Sequence, residues 1–279
     1  MKINNSYKLI ETEDGSVSVF SESFGQLMHA REGALTEAIY SHILPSGVLN
    51  RKSDEINVLD VGFGAGYNPL ALIIESRKKA FNKINIISLE YDKSCLKHLE
   101  EIKFDDYTDV YYKFLLNAFS LGSGGFENVE IKFVYGDARL SIQKLAEEGL
   151  LFDSICFDPF SPVVNPEMWT VDLFKKIYMI SKKDAFLTTY SSAVHIRRAL
   201  LEAGFKIGEL ISVKSPKTGT IARKEDFTFS LNSEEIDLIY DNIRSIPFRD
   251  PEFTLTREEI IENRLKERKE IKSQNKSFS

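Results

Sequence analysis

Residues 56–66 read INVLDVGFGAG and decide the fold of this 279-residue chain. The mostly apolar stretch 56–61 is typical of a buried strand, and the three glycines after it predict a tight turn where the backbone can approach a ligand closely. A helix from about residue 69 to residue 80 and a strand at 84–89 follow. Strand, turn, helix and strand form a β-α-β unit, which makes the two strands parallel.

The same alternation continues toward the C-terminus, so we predict an α/β fold with a doubly wound sheet. Further strands are expected at 129–135, 154–157, 185–190 and 205–210, with helices at 94–102, 139–147, 171–180 and 193–203 between them. We divide the chain into three parts: a small β-rich N-terminal extension with a lead-in helix (1–50), the main domain (51–255) with an insertion at 103–126, and a charged C-terminal helix (256–279).

Composition limits the classes of protein that fit. The 36 Lys and Arg against 42 Asp and Glu give a net charge of −6, which argues against a wholly basic nucleic-acid binder but permits a local basic face. Two cysteines exclude a disulfide framework, and the longest aliphatic run, 70–74, is far shorter than the roughly 20 residues of a membrane span. The four histidines lack ligand spacing. We therefore expect a cytoplasmic protein with no membrane contact and no metal.

Acidic residues stand at the ends of successive predicted strands. Asp60 precedes the glycine turn, while Glu90, Asp137 and Asp158 follow the next three strands of the sheet. Because parallel strands present their carboxyl ends at one edge, these carboxylates are expected to face one ligand crevice. Glu90 is placed to accept hydrogen bonds from ribose hydroxyls, and Asp137 to accept one from an adenine amino group.

The glycine spacing limits the classes of ligand that fit the crevice. The third glycine follows the second at +2, whereas the dinucleotide fingerprint needs +3, and no Lys-Ser or Lys-Thr of a phosphate loop follows. A nucleoside that carries positive charge fits the acids, and S-adenosyl-L-methionine is such a ligand. The residues predicted to bind it from the turn and the strand ends are Gly62, Phe63, Gly64, Gly66, Glu90, Asp137, Ala138 and Asp158.

Residues 153–170, DSICFDPFSPVVNPEMWT, resemble the signature of the MnmC-type tRNA methyltransferase domain. The stretches HAREGALTE (29–37), DVGFGAGYN (60–68) and IPFRDP (246–251) are similar to that family as well. The resemblance implies a class I S-adenosylmethionine-dependent methyltransferase with a Rossmann-like sheet. It further implies methylation of the aminomethyl group of 5-aminomethyl-(2-thio)uridine at the wobble position of tRNA.

Two features depart from the family pattern. Pro159 stands where the family usually has glycine, which is compatible with amine chemistry because amino-group methyltransferases carry a related Asp/Asn-Pro-Pro-aromatic loop. Many family members also carry a flavin-dependent (FAD) oxidase domain, for which this chain leaves no room.

Individual roles follow from this resemblance. Asp158 is the expected catalytic residue, which orients the amine or accepts its proton, and Gln26, Arg31 and Glu37 are expected to cover the cofactor. The flipped base needs an aromatic partner. Candidates for contact with the base or with tRNA phosphates are Phe160, Trp169, Tyr190, Lys217, Arg223 and Arg249.

Two other functions remain open from the sequence. A transferase of the same fold that acts on a small amine, of the spermidine synthase kind, also carries an acid at the fourth strand end. A noncatalytic cofactor-binding subunit of an RNA-modifying complex is the second alternative, although the complete set of strand-end acids argues against loss of chemistry.

Overall fold

A computed structural model describes residues 7–13, 15–29, 33–79, 81, 83–211 and 218–277. An eight-stranded sheet lies at its centre, and a three-stranded antiparallel sheet packs beside it. The strands are β1 (Tyr7–Glu11), β2 (Val17–Ser21), β3 (Gln26–Leu27), β4 (Glu55–Val61), β5 (Lys83–Glu90), β6 (Ser123–Phe126), β7 (Val129–Tyr135), β8 (Phe152–Phe157), β9 (Ser181–Thr189), β10 (Lys206–Ile211) and β11 (Thr218–Arg223).

The large sheet has the order β10-β11-β9-β8-β4-β5-β7-β6. Its five central strands pair in parallel, from β9 through β8, β4 and β5 to β7. The outer strands β6, β10 and β11 pair antiparallel. The predicted doubly wound sheet is confirmed, and its order reverses at β4, which leads into the glycine turn.

Helices cover both faces of this sheet. They are α1 (Ala34–Glu37), α2 (Tyr67–Ser76), α3 (Leu96–Leu99), α4 (Asp106–Leu121), α5 (Ala138–Glu147), α6 (Val171–Ile180), α7 (Val194–Glu202), α8 (Ser233–Asp241) and α9 (Arg257–Ser277). A π-helix at Ala38–Ile43 continues α1, and short 3-10 helices lie at Val48–Asn50, Lys93–Cys95, Pro166–Trp169 and Ile243–Ser245. The helix predicted at 94–102 is shorter than expected, and β6, β11 and α8 were not predicted as separate elements.

The alternation of side chains along β4 divides the core into two layers. Ile56 and Val58 point into the layer that includes α2 and α4, whereas Leu59 and Val61 point into the layer that includes α5, α6 and α7. All four side chains are at most 2% exposed. A strand buried on both faces is rich in apolar residues, and residues 56–61 are apolar except for Asn57 and Asp60.

The segment 103–126 is part of the core. Asp105 caps α4 by accepting hydrogen bonds from the backbone of its first turn, and β6 then pairs with β7 at the sheet edge. The Tyr112 hydroxyl donates to the carbonyl of Ala65 in the glycine turn at 3.1 Å. The predicted insertion therefore packs behind the glycine turn and supports it.

The N-terminal sheet and the C-terminal segment dock on the main sheet. The Tyr67 hydroxyl in α2 donates to the carbonyl of Val17 in β2 at 2.6 Å, and the Tyr7 hydroxyl of β1 donates to Asp92 after β5 at 2.5 Å. At the other end, β-type pairing joins Phe248 to Thr170. The division of the chain at residues 50 and 255 stays a prediction. Among the described residues, no helix is both long and apolar enough to cross a bilayer.

Candidate functional site

The glycine turn between β4 and α2 approaches the end of β8 so closely that a side chain cannot fit. Gly62 has φ +92°, and a Cβ on it would lie 2.8 Å from the carbonyl oxygen of Asp158. A residue at such a φ is strained unless it is glycine. Glu90 at the end of β5 fixes the other side of the turn, because its carboxylate accepts from the Gly64 amide at 3.1 Å and from the Asp92 amide at 2.8 Å.

Burial dominates the electrostatics at these strand ends. Asp60 is 1% exposed, and burial raises its pKa to about 7 although the Ser88 hydroxyl donates to it at 2.6 Å. Burial also raises the pKa of Glu90 and raises that of Asp158 well above its ordinary value, the latter with a contribution from the nearby Glu37. A carboxyl with a raised pKa can take up a proton near neutral pH.

Asp158 lies in a small polar cluster behind the turn. One of its oxygens, Oδ2, accepts from the Asn68 side chain at 3.1 Å and lies 4.0 Å from Nδ1 of His29 and 3.8 Å from Nε2 of His42. Desolvation lowers the pKa of His29 to about 3 and that of His42 to about 4, so both imidazoles are neutral. The carboxyl thus faces two uncharged rings instead of cations.

The acid after β7 belongs to a second network. Asp137 caps α5 by accepting from the Arg139 amide at 2.9 Å, and the Arg139 guanidinium binds it again through Nη2 at 2.7 Å. The same guanidinium reaches the fully buried Asp250 at 2.8 Å. Asp250 in turn accepts from the amides of Thr254 and Leu255 and so fixes the chain that leads into α9.

One cavity joins these groups at the carboxyl edge of the sheet, with a volume of about 250 Å³. Its roof comes from three distant segments of the chain. Phe24 stacks on Phe160 with ring centroids 4.3 Å apart, Gln26 exchanges hydrogen bonds with Ser161, and the Arg257 guanidinium lies 5.3 Å from the centre of the Phe24 ring. The N-terminal sheet, the loop after β8 and the start of α9 therefore close over the glycine turn.

The structure brings many of the sequence-predicted residues to this cavity. Those that line it are Gly62, Gly64, Glu90, Asp137, Ala138, Asp158 and Phe160. Gly66 turns the chain into α2 with φ +82°, behind the lining. Gln26 holds the roof, and Glu37 lies close enough to influence the pKa of Asp158.

Three predicted aromatic residues have different surroundings. Phe63 is 1% exposed and stacks on Phe119 of α4, so its ring lies in the core. Trp169 is fully buried, and its indole N–H donates to the carbonyl of Phe160 at 2.9 Å. The Tyr190 hydroxyl donates to the carbonyl of Pro159 at 2.9 Å. These hydrogen bonds direct the Trp169 and Tyr190 side chains to the backbone of the loop that follows β8, behind the cavity wall.

The basic candidates are not gathered at the cavity. Arg223 pairs in register with Phe186 of β9, which is level with Ser154 near the start of β8, at the opposite edge of the sheet. Arg249 binds Glu202 at 2.8 Å and approaches Glu267 at 3.6 Å. Arg31 and Lys217 lie outside the described residues.

Several groups at the site were missed in the sequence. His29, Asn165, Glu167, Met168 and Arg257 line the cavity, and the buried Asp250 supports it. Only the resemblance of 29–37, 153–170 and 246–251 to a family pattern pointed to these regions, because no local periodicity marks them. Within the described part of the chain, no group of three or more His, Cys, Asp and Glu side chains is arranged to hold a metal.

The wall of the cavity suits a ligand of the size of S-adenosylmethionine. The glycine backbone leaves free the space that a Cβ at position 62 would fill, and the carboxylates of Glu90 and Asp137 stand at the ends of the neighbouring strands β5 and β7. Oδ1 of Asn165 and Oε2 of Glu167 are buried without a hydrogen-bond partner among the described residues. Buried polar atoms of this kind are satisfied when a ligand supplies the partner.

Comparison with known proteins identifies the fold and its cofactor. Residues 105–225 match the S-adenosyl-L-methionine-dependent methyltransferase family. Over 96% of its length the chain superimposes on 87% of the crystal structure of MNMC2 from Aquifex aeolicus, with a TM-score of 0.85 and 26% identity. These matches confirm the predicted methyltransferase fold and S-adenosyl-L-methionine as the cofactor.

Curated relatives extend the similarity. An uncharacterized protein of Methanocaldococcus jannaschii is 28% identical over 97% of this chain and 75% of that protein. The tRNA 5-methylaminomethyl-2-thiouridine biosynthesis bifunctional protein MnmC of Ralstonia nicotianae is 27% identical over 75% of this chain. The match spans only 32% of the length of that bifunctional protein. The resemblance of residues 153–170 to the MnmC-type family is therefore confirmed for the methyltransferase part of the bifunctional protein.

Proposed function

We propose that this chain, an S-adenosyl-L-methionine-dependent methyltransferase of the MnmC2 type, methylates the aminomethyl group of 5-aminomethyl-(2-thio)uridine at the wobble position of tRNA. The printed name of the bifunctional relatives supports this acceptor, because a 5-methylaminomethyl group is an aminomethyl group with one added methyl. The recessed carboxyl of Asp158, a residue that lines the cavity of this chain, supports it as well.

The observation that carries the proposal is the position of Asp158. Asp158 lines the cavity, its backbone lies against Gly62, and its carboxyl is 7% exposed and has a raised pKa. An amine must lose its proton before its lone pair can attack a methyl group. Asp158 binds the incoming ammonium through charge and hydrogen bonding, and its raised pKa lets it take the proton away.

The cofactor supplies an electrophilic methyl group on a sulfonium. In the proposed arrangement, the backbone at Gly62 and Gly64 approaches the cofactor closely. Glu90 accepts hydrogen bonds from the ribose hydroxyls, and Asp137 and Ala138 lie beside the adenine. Because Glu90 already accepts two backbone amides, its carboxylate is held rigidly at the cavity wall. Rigid placement of donor and acceptor supplies much of the rate enhancement of such a displacement, up to several kcal/mol.

The base and the tRNA backbone need separate contacts. Phe160, stacked on Phe24 at the cavity roof, offers an aromatic face for a flipped uracil. Phosphate binding is assigned to Lys214 and Lys217, which precede β11 in the sequence. Gly219, near the start of β11, lies against the backbone of Thr189 and Tyr190. Gly219 is therefore at the carboxyl edge of the sheet, on the same side as the cavity.

The test is a transfer assay with labelled S-adenosylmethionine and tRNA from cells that lack this methylation. After digestion, we expect label in 5-methylaminomethyluridine or its 2-thio form. Already methylated tRNA and the Asp158→Asn variant are the controls: the first should stay unlabelled, and the second should label about 100-fold more slowly. Label in another nucleoside, or in a small amine while tRNA stays unlabelled, would refute the proposed substrate and leave the methyltransferase assignment intact.

A further inference from the structure

His29 enters the cavity from the end of the N-terminal sheet and is not used in the mechanism above. Its ring is 4% exposed, lies edge-on to Tyr67 with ring centroids 4.9 Å apart, and directs Nδ1 toward Asp158 at 4.0 Å. The other ring nitrogen, Nε2, has no hydrogen-bond partner among the described residues. Nε2 lies 3.5 Å from the position that a Cβ on Gly64 would occupy, at the glycine turn.

A second buried histidine provides a natural comparison. His42 is fully buried, its Nε2 lies 3.8 Å from the same oxygen of Asp158, and that nitrogen also lacks a partner among the described residues. It differs from His29 in two respects: it bonds Thr188 through Nδ1, and it does not line the cavity. Only His29 therefore connects the Asp158 carboxyl with the space that the ligands occupy.

We infer that His29 is the proton carrier for Asp158, an inference that rests on the proposed function. The substrate ammonium gives one proton to the Asp158 carboxylate, and the freed lone pair forms the new N–C bond as the methyl–sulfur bond breaks. Nδ1 of His29 then takes the proton from Asp158 while Nε2 releases one into the cavity. The imidazole ends neutral, the carboxylate is restored, and the product amine keeps the positive charge that the sulfonium lost.

The surroundings of His29 allow this transfer. A shortening of the His29–Asp158 contact by about 1 Å gives a normal hydrogen bond. Among the described residues, the titratable groups that face the pair are His42 from the π-helix, Tyr67 from α2, Glu37 from α1, Asp60 from β4, Cys156 from β8 and Tyr190 after β9. Burial lowers the pKa of His29 and so disfavours a charged imidazolium, and the ring therefore takes up a proton at Nδ1 and releases one from Nε2 in a single concerted step.

The variant test uses the matched histidines. We expect His29→Asn and His29→Ala to lower kcat by about 10-fold or more with an unchanged KM for S-adenosylmethionine, and His42→Asn to stay within a few-fold of wild type. Added imidazole should restore the His29→Ala variant. Thiazole fills the same space but has a single ring nitrogen, so it should not. Equal losses at both histidines, or equal rescue by both compounds, would assign His29 a merely structural role and overturn the inference.

A second measurement needs no acceptor and no variant at position 29. Nitrogen-15 NMR of the imidazoles, in protein saturated with S-adenosylhomocysteine, reports the tautomer and charge of His29 as a function of pH. We expect its signals to change as Asp158 titrates and to lose that change in Asp158→Asn. Identical His29 spectra in both proteins would overturn the inference. Failure of the wild type to label tRNA would instead refute the proposed substrate, and the NMR result would still decide the role of His29.

Discussion

At the scale of single residues, the proposed role of Asp158 and its raised pKa predict that turnover depends on pH. In that role the carboxyl accepts a proton only when it is ionised, so kcat is expected to fall as the pH drops through that raised pKa. Asp158→Asn keeps the shape and the hydrogen bond to Asn68 but cannot accept a proton, and we expect about 100-fold slower turnover at every pH.

The measurement is a pH profile of kcat beside a direct titration of S-adenosylmethionine binding. The affinity for the cofactor should stay within a few-fold of wild type, since the substitution leaves the glycine turn in place. Turnover of Asp158→Asn within a few-fold of wild type would remove Asp158 from the proton-accepting role.

Asp60 contributes to the pH dependence of the stability of the fold. Its pKa in the folded protein, about 7, is above the value of an unfolded chain, so the fold binds this proton more tightly. The resulting stabilisation is present below about pH 4 and is lost as the pH rises toward about 7. The difference in free energy of unfolding between wild type and Asp60→Asn should therefore fall with rising pH by at most about 1.4 kcal/mol per pH unit.

Chemical denaturation at several pH values checks this expectation, and the subtraction cancels the opposing contributions of the buried histidines. Asp184→Asn is a suitable control, because Arg51 lowers the pKa of Asp184 and its small effect has the opposite sign. A pH-independent difference between wild type and Asp60→Asn would show that Asp60 has the same pKa in the folded and the unfolded chain.

At the scale of elements, the glycine turn depends on its contact with the loop after β8. Gly62→Ala places a Cβ 2.8 Å from the Asp158 carbonyl at φ +92°, whereas Gly149→Ala has a similar φ of +70° and open space around it. We expect Gly149→Ala to cost about 1 kcal/mol and Gly62→Ala about 2 kcal/mol more, with weaker cofactor binding only for Gly62→Ala. Equal losses in the two variants would mean that backbone strain alone accounts for the effect.

Local patterns explain why much of the sheet was predictable. The mostly apolar stretch 56–61 buries apolar side chains on both faces of β4, and acids that follow strands in sequence also follow them in space, as Asp158 does. The roof had no such signal, because Phe24, Asn165 and Arg257 come from segments far apart in the chain. Trp169 shows that residue type alone does not determine a role. A tryptophan is suited to stack on a base, but here its buried indole N–H donates a hydrogen bond to the carbonyl of Phe160.

At the scale of the whole molecule, the net charge of −6 means that the proposed binding of tRNA needs a local basic surface. Replacing Lys214 and Lys217 by Ala should weaken tRNA binding and make log K less steep against log salt by about 1 to 2. Lys266→Ala with Lys269→Ala on α9 is the matched control, since acidic residues surround those lysines. Equal losses for both pairs, measured by salt-dependent titration, would contradict the proposed role of the loop.

The convergence of distant segments on one cavity has a consequence for biosynthesis. Tyr7 and Phe24 are made long before Arg257, yet all three line the same cavity. A chain still on the ribosome can pair its parallel strands before this roof exists. Tight cofactor binding should therefore arise only after Arg257 has been synthesised, and captured S-adenosylmethionine would report that the cavity has closed.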